Sequence, residues 1–340
     1  MKRLLLLLPL VLLLTACGEK QEPAPGGGKL VPFRVILDYT PNADHAAIYA
    51  AQASGEFQRA GLDVQIITPA DPAAPLKLLA AGKADLAVSY EPELLLARDQ
   101  GTNLVSVGAL VQKPLTTLMS IDPSVKAVGD LRGKTVGTAG IAYQDAYLKT
   151  ILAAAKIPET SVSKVGVGFN LVPAMLSKRV DATLGAYWNV EGVDLQQKGK
   201  KPTILRVETL GVPTYNELVF VARRTSLTST EASKLRRFLG AVAKGAGIAR
   251  DDPSQAAAAL EKADPALDPQ LVGASVQATT GVFFPPQTNR PWGFQDIGQW
   301  HDYGAWMLKN KLVGKDPHAE DALTNEFLPG QGLSANTAEP

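Results

Sequence analysis

Strand-like and helix-like segments alternate along most of this 340-residue chain. The first unit runs from a β-rich stretch, Phe33–Asp38, through a helical stretch, Asp44–Ala60, to a second strand at Leu62–Thr68. Strands that alternate with helices at this spacing indicate βαβ units and a largely parallel sheet. The sequence therefore predicts an α/β fold.

Two segments of the chain repeat the same order of features. Gly82–Glu91 and Lys178–Tyr187 each contain a basic residue, an aspartate, an apolar strand and then an aromatic residue. Any two βαβ units can look alike, so one interpretation is coincidence. The other is that the chain forms two lobes of similar wiring. At ~100–200 residues per domain, the length also suggests about two domains.

The chain could pass between such lobes through two strand-like runs that have no helix before them. These runs are Leu115–Ile121 and Glu217–Ala222. We therefore expect one lobe to comprise residues 30–118 together with 219–328, and the other to comprise residues 119–218.

The N-terminus has the features of an export signal. Lys2 and Arg3 precede the apolar run Leu4–Leu14, which is shorter than the ~20 residues of a membrane-spanning helix. The run ends in Leu14-Thr15-Ala16-Cys17, which resembles a bacterial lipobox, although a plain secretory signal with an incidental thiol is the alternative. We expect an extracytoplasmic, membrane-anchored protein. Its expected segments are a signal peptide at 1–16, a lipidated Cys17 with a flexible tether at 17–29, and a polar tail at 329–340.

Composition and motifs argue against several classes of function. The 34 basic and 33 acidic residues give a formal net charge of +1, so no basic surface for nucleic acid is expected. One cysteine and three scattered histidines show no metal-ligand spacing. Neither a Walker A motif nor a G-x-S-x-G elbow occurs. We therefore expect no metal, no cofactor and no nucleic-acid partner.

Polar and aromatic residues follow several predicted strands. Ligands of open α/β sheets bind beyond the carboxyl ends of the strands, so two facing lobes would form a cleft there. Aromatic rings for stacking, carboxylates that accept N–H groups, and side-chain amides favour a flat, nitrogen-bearing heterocycle. Each residue alone could instead be a helix cap or a core residue, and the Gly137–Gly140 loop before a helix could be a ligand-binding helix start or a tight turn. The candidate ligand-binding residues are Tyr39, Asn42, His45, Tyr90, Glu91, Gly140, Asn170, Tyr187, Trp188, Glu191 and Tyr215.

From Phe33 to about Ala222 the chain resembles the substrate-binding proteins of ABC importers in the thiamine-pyrimidine-synthase-like family. The matching stretches are Pro41-Asn42-x-x-His45-Ala46-x-Ile48-Tyr49, Asp85-x-Ala87-Val88-Ser89-Tyr90-Glu91-Pro92-Glu93-Leu94, Gly168-Phe169-Asn170-Leu171 and Tyr187-Trp188-Asn189-x-Glu191.

The resemblance implies a periplasmic-binding-protein fold, class II-like, in which two lobes with mixed, mostly parallel sheets are joined by two crossover strands. It also implies a monomeric receptor that closes on a thiamine pyrimidine precursor and delivers it to an ABC permease. The precursor would be a hydroxymethyl- or formylaminomethyl-aminopyrimidine. Some similar proteins carry riboflavin instead, and Tyr39 stands where many members have a tryptophan, so the ligand stays open.

The same family contains an enzyme branch, the fungal pyrimidine synthases. They build the ring from pyridoxal phosphate and their own histidine, which resembles His45 in placement. That branch carries a cysteine-rich motif, whereas this chain has only Cys17, which the lipobox already uses. We therefore expect binding rather than catalysis.

Overall fold

The computed structural model describes residues 28–331 of the chain. The predicted signal peptide, the lipidated Cys17, nearly all of the tether and most of the polar tail lie outside these residues.

Within residues 28–331, ten strands form two mixed sheets of five, which confirms the predicted α/β fold. The first sheet contains β1 (Val31–Ile36), β2 (Leu62–Ile67), β3 (Leu86–Ser89), β4 (Leu104–Val111) and β10 (Leu218–Arg223). The second sheet contains β5 (Thr116–Ser120), β6 (Thr135–Thr138), β7 (Ser163–Gly166), β8 (Ala182–Tyr187) and β9 (Thr203–Arg206). We call the part of the chain around the first sheet lobe 1 and the part around the second sheet lobe 2.

The two sheets have the same wiring. Their strand orders are β2-β1-β3-β10-β4 and β7-β6-β8-β5-β9, so β3 of lobe 1 corresponds to β8 of lobe 2. In each sheet one strand runs antiparallel to both of its neighbours, β10 in the first and β5 in the second. Each of these two strands is the first that the chain enters after it has crossed from the other lobe. The repeat seen in the sequence is therefore a repeat of topology.

The chain crosses between the lobes twice. It passes from β4 to β5 through residues 112–115, and it returns from β9 to β10 through residues 207–217. The predicted boundary at 118/119 falls inside β5, but all of β5 pairs within the second sheet, so this crossing ends before Thr116. The predicted boundary at 218/219 is displaced by one residue, because Leu218 already pairs with β4.

Eleven α-helices of the described residues cover these sheets. They are α1 (Ala46–Ala53), α2 (Glu56–Arg59), α3 (Pro75–Ala80), α4 (Glu91–Asp99), α5 (Ala142–Ala154), α6 (Leu171–Leu176), α7 (Glu191–Gln197), α8 (Ser229–Asp251), α9 (Pro253–Ala263), α10 (Pro269–Thr279) and α11 (Ile297–Lys309).

The helix predicted at Asp44–Ala60 is broken. Ala43–His45 form a single 3-10 turn, α1 ends at Ala53, and Gly55 adopts a left-handed conformation with φ +78° before α2 begins. Glycine has no Cβ and tolerates this conformation, so the chain reverses its path there.

Buried apolar side chains from both lobes join in one cluster, and a smaller cluster lies beneath β8 and α6 in lobe 2. Strand β4 is buried along its full length, including Ser106, and its other residues are apolar or glycine. None of the helices within residues 28–331 combines the length and the apolar character that crossing a membrane would need. The core thus continues across the boundary between the lobes and holds them face to face.

Candidate functional site

A cavity lies between the lobes, beyond the carboxyl ends of β1, β3 and β8. Its volume is ≈ 20 Å³, which is about the space that one water molecule occupies on this measure. A heterocycle would therefore enter only when the lobes separate. Asp38, Tyr39, Asn42 and Tyr90 line it from lobe 1, and Ala139, Ile141, Tyr143, Gln144, Leu171, Gly185, Tyr187 and Glu191 line it from lobe 2.

Asp38 organises the lobe 1 wall. Its Oδ1 lies 2.8 Å from His45 Nε2, and its Oδ2 accepts a hydrogen bond of 2.8 Å from the Tyr90 hydroxyl. The backbone N–H of Asn42 donates to His45 Nδ1 at 3.2 Å, so Nδ1 is the acceptor and the ring proton sits on Nε2. His45 is fully buried and both of its ring nitrogens are engaged. Its place is thus behind Asp38, which it orients.

Tyrosine rings form much of the cavity wall. Tyr90 of lobe 1 and Tyr143 of lobe 2 have ring centroids 5.2 Å apart, so these two rings meet across the boundary between the lobes. Tyr187 donates its hydroxyl to Glu217 at 3.2 Å, as Tyr90 does to Asp38. Because these hydroxyl groups already have partners, the aromatic bodies of the two side chains remain for apolar contact with a ligand.

Glu191 supplies a second carboxyl group from lobe 2. It begins α7, and its Oε2 accepts a hydrogen bond of 2.7 Å from the backbone N–H of Tyr187. Burial raises the pKa of Glu191 to about 7, because the charged form loses hydration there. At neutral pH this group can therefore either donate or accept a proton in a hydrogen bond.

Gln144 reaches the cavity because of a bulge in β8. Its Oε1 accepts the backbone N–H of Ala139 at 2.8 Å. Gly185 has φ +115°, and a Cβ at that position would lie 2.3 Å from Gln144 Nε2. The β5–β8 register shifts beside Gly185, as expected for a bulge. Glycine is thus required at this position for the amide to occupy its place.

Tyr39 and Phe169 meet at the edge of the cavity. Tyr39 comes from lobe 1 and Phe169 from lobe 2, and their rings pack edge to face with centroids 4.6 Å apart. Among the described residues the buried Tyr39 hydroxyl has no hydrogen-bond partner. It can therefore donate to an acceptor on a bound molecule.

Next to the cavity, hydrogen bonds between polar side chains also join the lobes. Asn189 Nδ2 donates to Asp44 Oδ1 at 2.6 Å and to Thr279 Oγ1 at 2.7 Å. All three residues are fully buried, and Asn189 belongs to lobe 2 whereas the other two belong to lobe 1. Burial raises the pKa of Asp44 well above its usual range, because the charged form loses hydration there. We call these three residues the interlobe bridge.

Glu91 and Tyr215, which the sequence suggested as ligand contacts, lie instead at the crossings between the lobes. Glu91 Oε2 accepts the backbone N–H of Asn216 at 2.7 Å. Tyr215 donates its hydroxyl to Glu217 at 3.0 Å and packs its ring against Tyr147 and Tyr303. Neither residue lines the cavity.

Glu217, which is not among the candidate ligand-binding residues above, ties the two crossings together. It accepts the backbone N–H groups of Leu115 and Thr116 as well as the hydroxyls of Thr116, Tyr187 and Tyr215. Leu115 belongs to the first crossing, and Glu217 itself ends the second. The carboxylate therefore fixes the path of both.

Three other expected contacts also lie outside the cavity lining. Trp188 donates its indole N–H to Pro114 O at 3.4 Å and packs under the Arg206 guanidinium, 4.4 Å from the ring centroid. Asn170 precedes α6 without a side-chain cap, and Gly140 is exposed with φ +85°. For Gly140 the tight-turn interpretation fits, since the neighbouring Ala139 and Ile141 line the cavity in its place.

The structure thus brings together Tyr39, Asn42, Tyr90, Tyr187 and Glu191 in one cavity, with His45 directly behind Asp38. It adds Asp38, Tyr143 and Gln144, which are not among the candidate residues named from the sequence. Asp38 stands at the end of the first predicted strand, and this position was the signal that could have identified it. Within residues 28–331 no group of three or more His, Cys, Asp or Glu side chains could hold a metal ion.

Comparison with known proteins gives a family. The sequence profile of the family described as "NMT1/THI5 like" matches residues 42–256. A protein of Halalkalibacterium halodurans named formylaminopyrimidine-binding protein is 30% identical over 326 residues, which cover 95% of this chain and 98% of the relative. The match therefore extends over nearly the whole of both proteins.

More distant similarity includes an enzyme and a binding protein. A 4-amino-5-hydroxymethyl-2-methylpyrimidine phosphate synthase of Legionella pneumophila is 25% identical over 299 residues, covering 87% of this chain and 92% of the enzyme. The alkanesulfonate-binding protein SsuA of Xanthomonas axonopodis superposes with a TM-score of 0.67 at 19% identity, covering 87% of this chain and 99% of SsuA. The second comparison confirms the periplasmic-binding-protein fold.

Proposed function

Because this chain belongs to the NMT1/THI5-like family, we propose that it is the solute-binding component of an ABC importer for an aminopyrimidine precursor of thiamine. The expected ligand is a formylaminomethyl- or hydroxymethyl-aminopyrimidine. The name of the 30%-identical relative, which spans nearly the full chain, supports this ligand class. The fold supports a receptor that closes two lobes on its ligand.

The cavity between the lobes is the observation that carries this proposal. An aminopyrimidine presents a ring nitrogen that accepts a hydrogen bond beside an amino group that donates one. A protonated Glu191 offers the matching pair, since its O–H can donate to the ring nitrogen while its C=O accepts from the amino group. Asp38 offers a further acceptor, and Tyr90 and Tyr187 offer rings on either side of the boundary.

Binding requires the lobes to move. The present cavity of ≈ 20 Å³ does not admit a six-membered ring, so the ligand enters an open form and the lobes then close on it. A ligand shifts such an equilibrium only through its different affinity for the two forms. Contacts made by both lobes at once, as from Asp38 and Glu191, exist only in the closed form and therefore favour it.

The synthase interpretation receives no support from His45. Its ring is fully buried, and its two nitrogens are occupied by Asn42 N–H and Asp38. A histidine that gave up its atoms to a new ring would need to reach the substrate, whereas Asp38 stands between His45 and the cavity. We therefore propose that the ligand is bound without being chemically altered.

Export and anchoring remain part of the proposal. The sequence around Cys17 supports lipid attachment outside the cytoplasm, and the fold supports docking of a monomeric receptor on permease subunits. The polar segment between Cys17 and β1 would then hold the folded lobes near the membrane surface without inserting them.

The proposal is tested by titrating the purified protein with formylaminomethyl-aminopyrimidine, hydroxymethyl-aminopyrimidine and riboflavin in a calorimeter. We expect saturable binding of at least one pyrimidine with a negative heat-capacity change, since apolar rings become buried. Glu191→Ala removes both the donor and the acceptor and should weaken this binding more than tenfold, while Glu159→Ala on the exposed surface serves as the matched control. Binding of riboflavin alone, with yellow colour and flavin fluorescence, would contradict the proposed ligand class.

A further inference from the structure

The described residues also form a pocket that is separate from the interlobe cavity and larger than it. It lies beside the two crossings and has a volume of ≈ 580 Å³, which falls in the range of ~300–1,000 Å³ typical of small-molecule sites. Gln112 and Lys113 of the first crossing and Thr214 of the second form part of its wall. The start of α11 and the segment before it form the rest. We call it the hinge pocket.

A chain of hydrogen bonds fixes the orientation of an amide at this pocket. The indole N–H of Trp300 donates to Asn216 Oδ1 at 2.8 Å, so the Asn216 amide must turn its Nδ2 the other way. That Nδ2 lies 3.4 Å from Gln112 Oε1 and from Gln112 O. Gln112 Oε1 is therefore the acceptor, and Gln112 Nε2 points away from Asn216.

Gln112 Nε2 is consequently a buried donor that the described residues leave without a partner. The residue is only 5% exposed, so hydration cannot freely replace the missing bond. A buried polar group without a partner costs free energy, and native proteins rarely carry one without a reason. Gln299 Nε2 on α11, which also lines the pocket, is in the same condition. Two residues of the pocket wall thus carry a buried amide donor that has no acceptor among the described residues.

The charges around the pocket restrict what can bring that oxygen. The charged residues that line it are Lys113, Asp296 and Asp302, one positive and two negative. Arg290 lies outside the lining, over the ring of Phe294. A simple anion would suit the amides and Lys113 but would face both aspartates. A molecule with a carboxylate at one end and an ammonium at the other satisfies both parts of the wall.

The remaining wall is apolar. Pro213, Pro286 and Phe294 line it, and flat side chains of this kind pack well on a ring. We propose that the hinge pocket is a second binding site, for a small zwitterion that carries a carboxylate and an ammonium on a flat apolar body. Its carboxylate accepts from Gln112 Nε2 and Gln299 Nε2, and its ammonium faces the aspartates.

A molecule in the hinge pocket should change the ligand affinity of the interlobe cavity. The crossings absorb any rotation of one lobe against the other, and both of them form walls of the hinge pocket. A molecule held there makes different contacts in the open and closed forms, so it changes the affinity of the interlobe cavity for its own ligand. By linkage, the ligand of the interlobe cavity changes the affinity of the hinge pocket by the same factor. This coupling rests on the proposed function, whereas binding to the pocket does not.

The experiment titrates the purified mature protein with L-phenylalanine, with 2-phenylethylamine, which has the ammonium alone, and with 3-phenylpropanoate, which has the carboxylate alone. We expect L-phenylalanine to saturate one site and each half-molecule to bind at least tenfold more weakly. Failure of L-phenylalanine to saturate, or equal binding of a half-molecule, overturns the proposal.

Variants locate the site. Gln112→Glu keeps the acceptor that faces Asn216 but replaces the unpartnered donor with an oxygen, so L-phenylalanine should bind at least tenfold more weakly. Gln299→Glu makes the same change on α11 in case the first variant folds poorly, and Gln255→Glu on the exposed surface of α9 is the control. Thr214→Trp fills the pocket from an exposed position. Binding that survives Thr214→Trp overturns the assignment to this pocket.

Competition separates the two sites. A saturating aminopyrimidine should change the affinity for L-phenylalanine by at least threefold while leaving one L-phenylalanine per protein. Complete displacement would place L-phenylalanine in the cleft and overturn the second site. Unchanged affinity would overturn the coupling alone. If no aminopyrimidine binds, the proposed function fails, and the direct titration still decides the hinge pocket.

Discussion

At the scale of single residues, the cavity sets two carboxyl groups in different surroundings. Asp38 accepts hydrogen bonds from His45 and the Tyr90 hydroxyl, so two donors from its own lobe satisfy it. Glu191 has one backbone donor, from Tyr187, and burial raises its pKa to about 7. A proton on Glu191 is therefore available to a ligand near and below pH 7, whereas Asp38 serves as an acceptor.

The pKa of Glu191 predicts a change of stability with pH. Between pH 4.5 and about 7 the folded protein keeps a proton on Glu191 that the unfolded chain has lost, so the free energy of unfolding falls as pH rises through this window. Over the whole window, the raised pKa of Glu191 lowers the free energy of unfolding by about 3 kcal/mol. Glu191→Gln should remove this part of the slope in urea unfolding measured from pH 4 to pH 8.

Asp44, Glu91 and Glu217 are also buried acids whose pKa is raised, so they too make the free energy of unfolding fall as pH rises. The contribution of Glu191 is therefore found by comparing the pH slopes of variants. Glu159→Gln, on an exposed 3-10 turn, is the control and should retain the wild-type slope. An identical slope in both variants would show that Glu191 ionises normally in the folded state.

The position of residues in the sequence predicted where the cavity lies better than it predicted which side chains line the cavity. A residue that follows a strand of a parallel sheet lies at the carboxyl edge, and this argument places Tyr90 and Tyr187 in one cavity. It does not fix the direction of a side chain. Glu91 follows Tyr90 directly, but as the first residue of α4 its carboxyl group turns to Asn216 at the crossing. Gln144 was not selected because its approach depends on the bulge at Gly185.

At the scale of elements, apolar patterns located most strands and helices. They failed for elements whose formation depends on tertiary contacts. The strands predicted at Leu62–Thr68 and Glu217–Ala222 differ from β2 and β10 by at most one residue at either end. Strand β9, Thr203–Arg206, was not predicted. It has only four residues and takes its order from antiparallel pairing with β5. Helix α7 was missed because its polar sequence lacks an apolar stripe.

Helix α8 packs closely against α1 at Gly245, and a substitution there tests this contact. A Cβ at Gly245 would lie 2.0 Å from Ala47 O and 2.8 Å from Ala51 N of α1, so α1 and α8 touch at this glycine. Gly245→Ala must push the helices apart, and we expect it to lower the free energy of unfolding by about 2 kcal/mol or more. Urea denaturation followed by circular dichroism measures the change.

Gly247, in the same helix, is the matched control. A Cβ there meets nothing within 4 Å, so Gly247→Ala should raise stability by about 0.5–1 kcal/mol through the better helix propensity of alanine. Opposite signs for the two substitutions are the expected result. Equal effects would show that α1 and α8 are farther apart in solution.

At the scale of the whole molecule, the interlobe bridge acts apart from both crossings. Asn189 joins Asp44 and Thr279 across the boundary, and the Thr279 hydroxyl in turn donates to Ser275 O at 2.7 Å within α10. These buried bonds exist only while the lobes are together. They therefore contribute to closure independently of any ligand.

Asn189→Ala should shift the protein toward its open form. Loss of the bridge leaves Asp44 and Thr279 buried without their lobe 2 partner in the closed form, which costs about 1–3 kcal/mol. We expect the radius of gyration of the free protein, measured by small-angle X-ray scattering, to increase, and the affinity for an aminopyrimidine to fall by about tenfold.

Gln197→Ala is the control for this experiment. Gln197 Nε2 also joins the lobes, by donating to Gln270 O at 3.1 Å, but this bond is exposed and water can replace it. We expect a small change in either measurement. A radius of gyration that stays constant in Asn189→Ala would mean that the bridge does not hold the lobes together.

The central position of β10 in the first sheet sets an order of assembly. On the ribosome, β3 and β4 emerge long before β10, which lies between them and ends about two thirds of the way along the chain. All five strands of the second sheet precede β10, so that sheet can form first. Until β10 arrives, β3 and β4 each keep an unpaired edge, and such edges invite pairing with other chains. When the second sheet forms first, lobe 2 is folded while the strands of lobe 1 still need protection from aggregation.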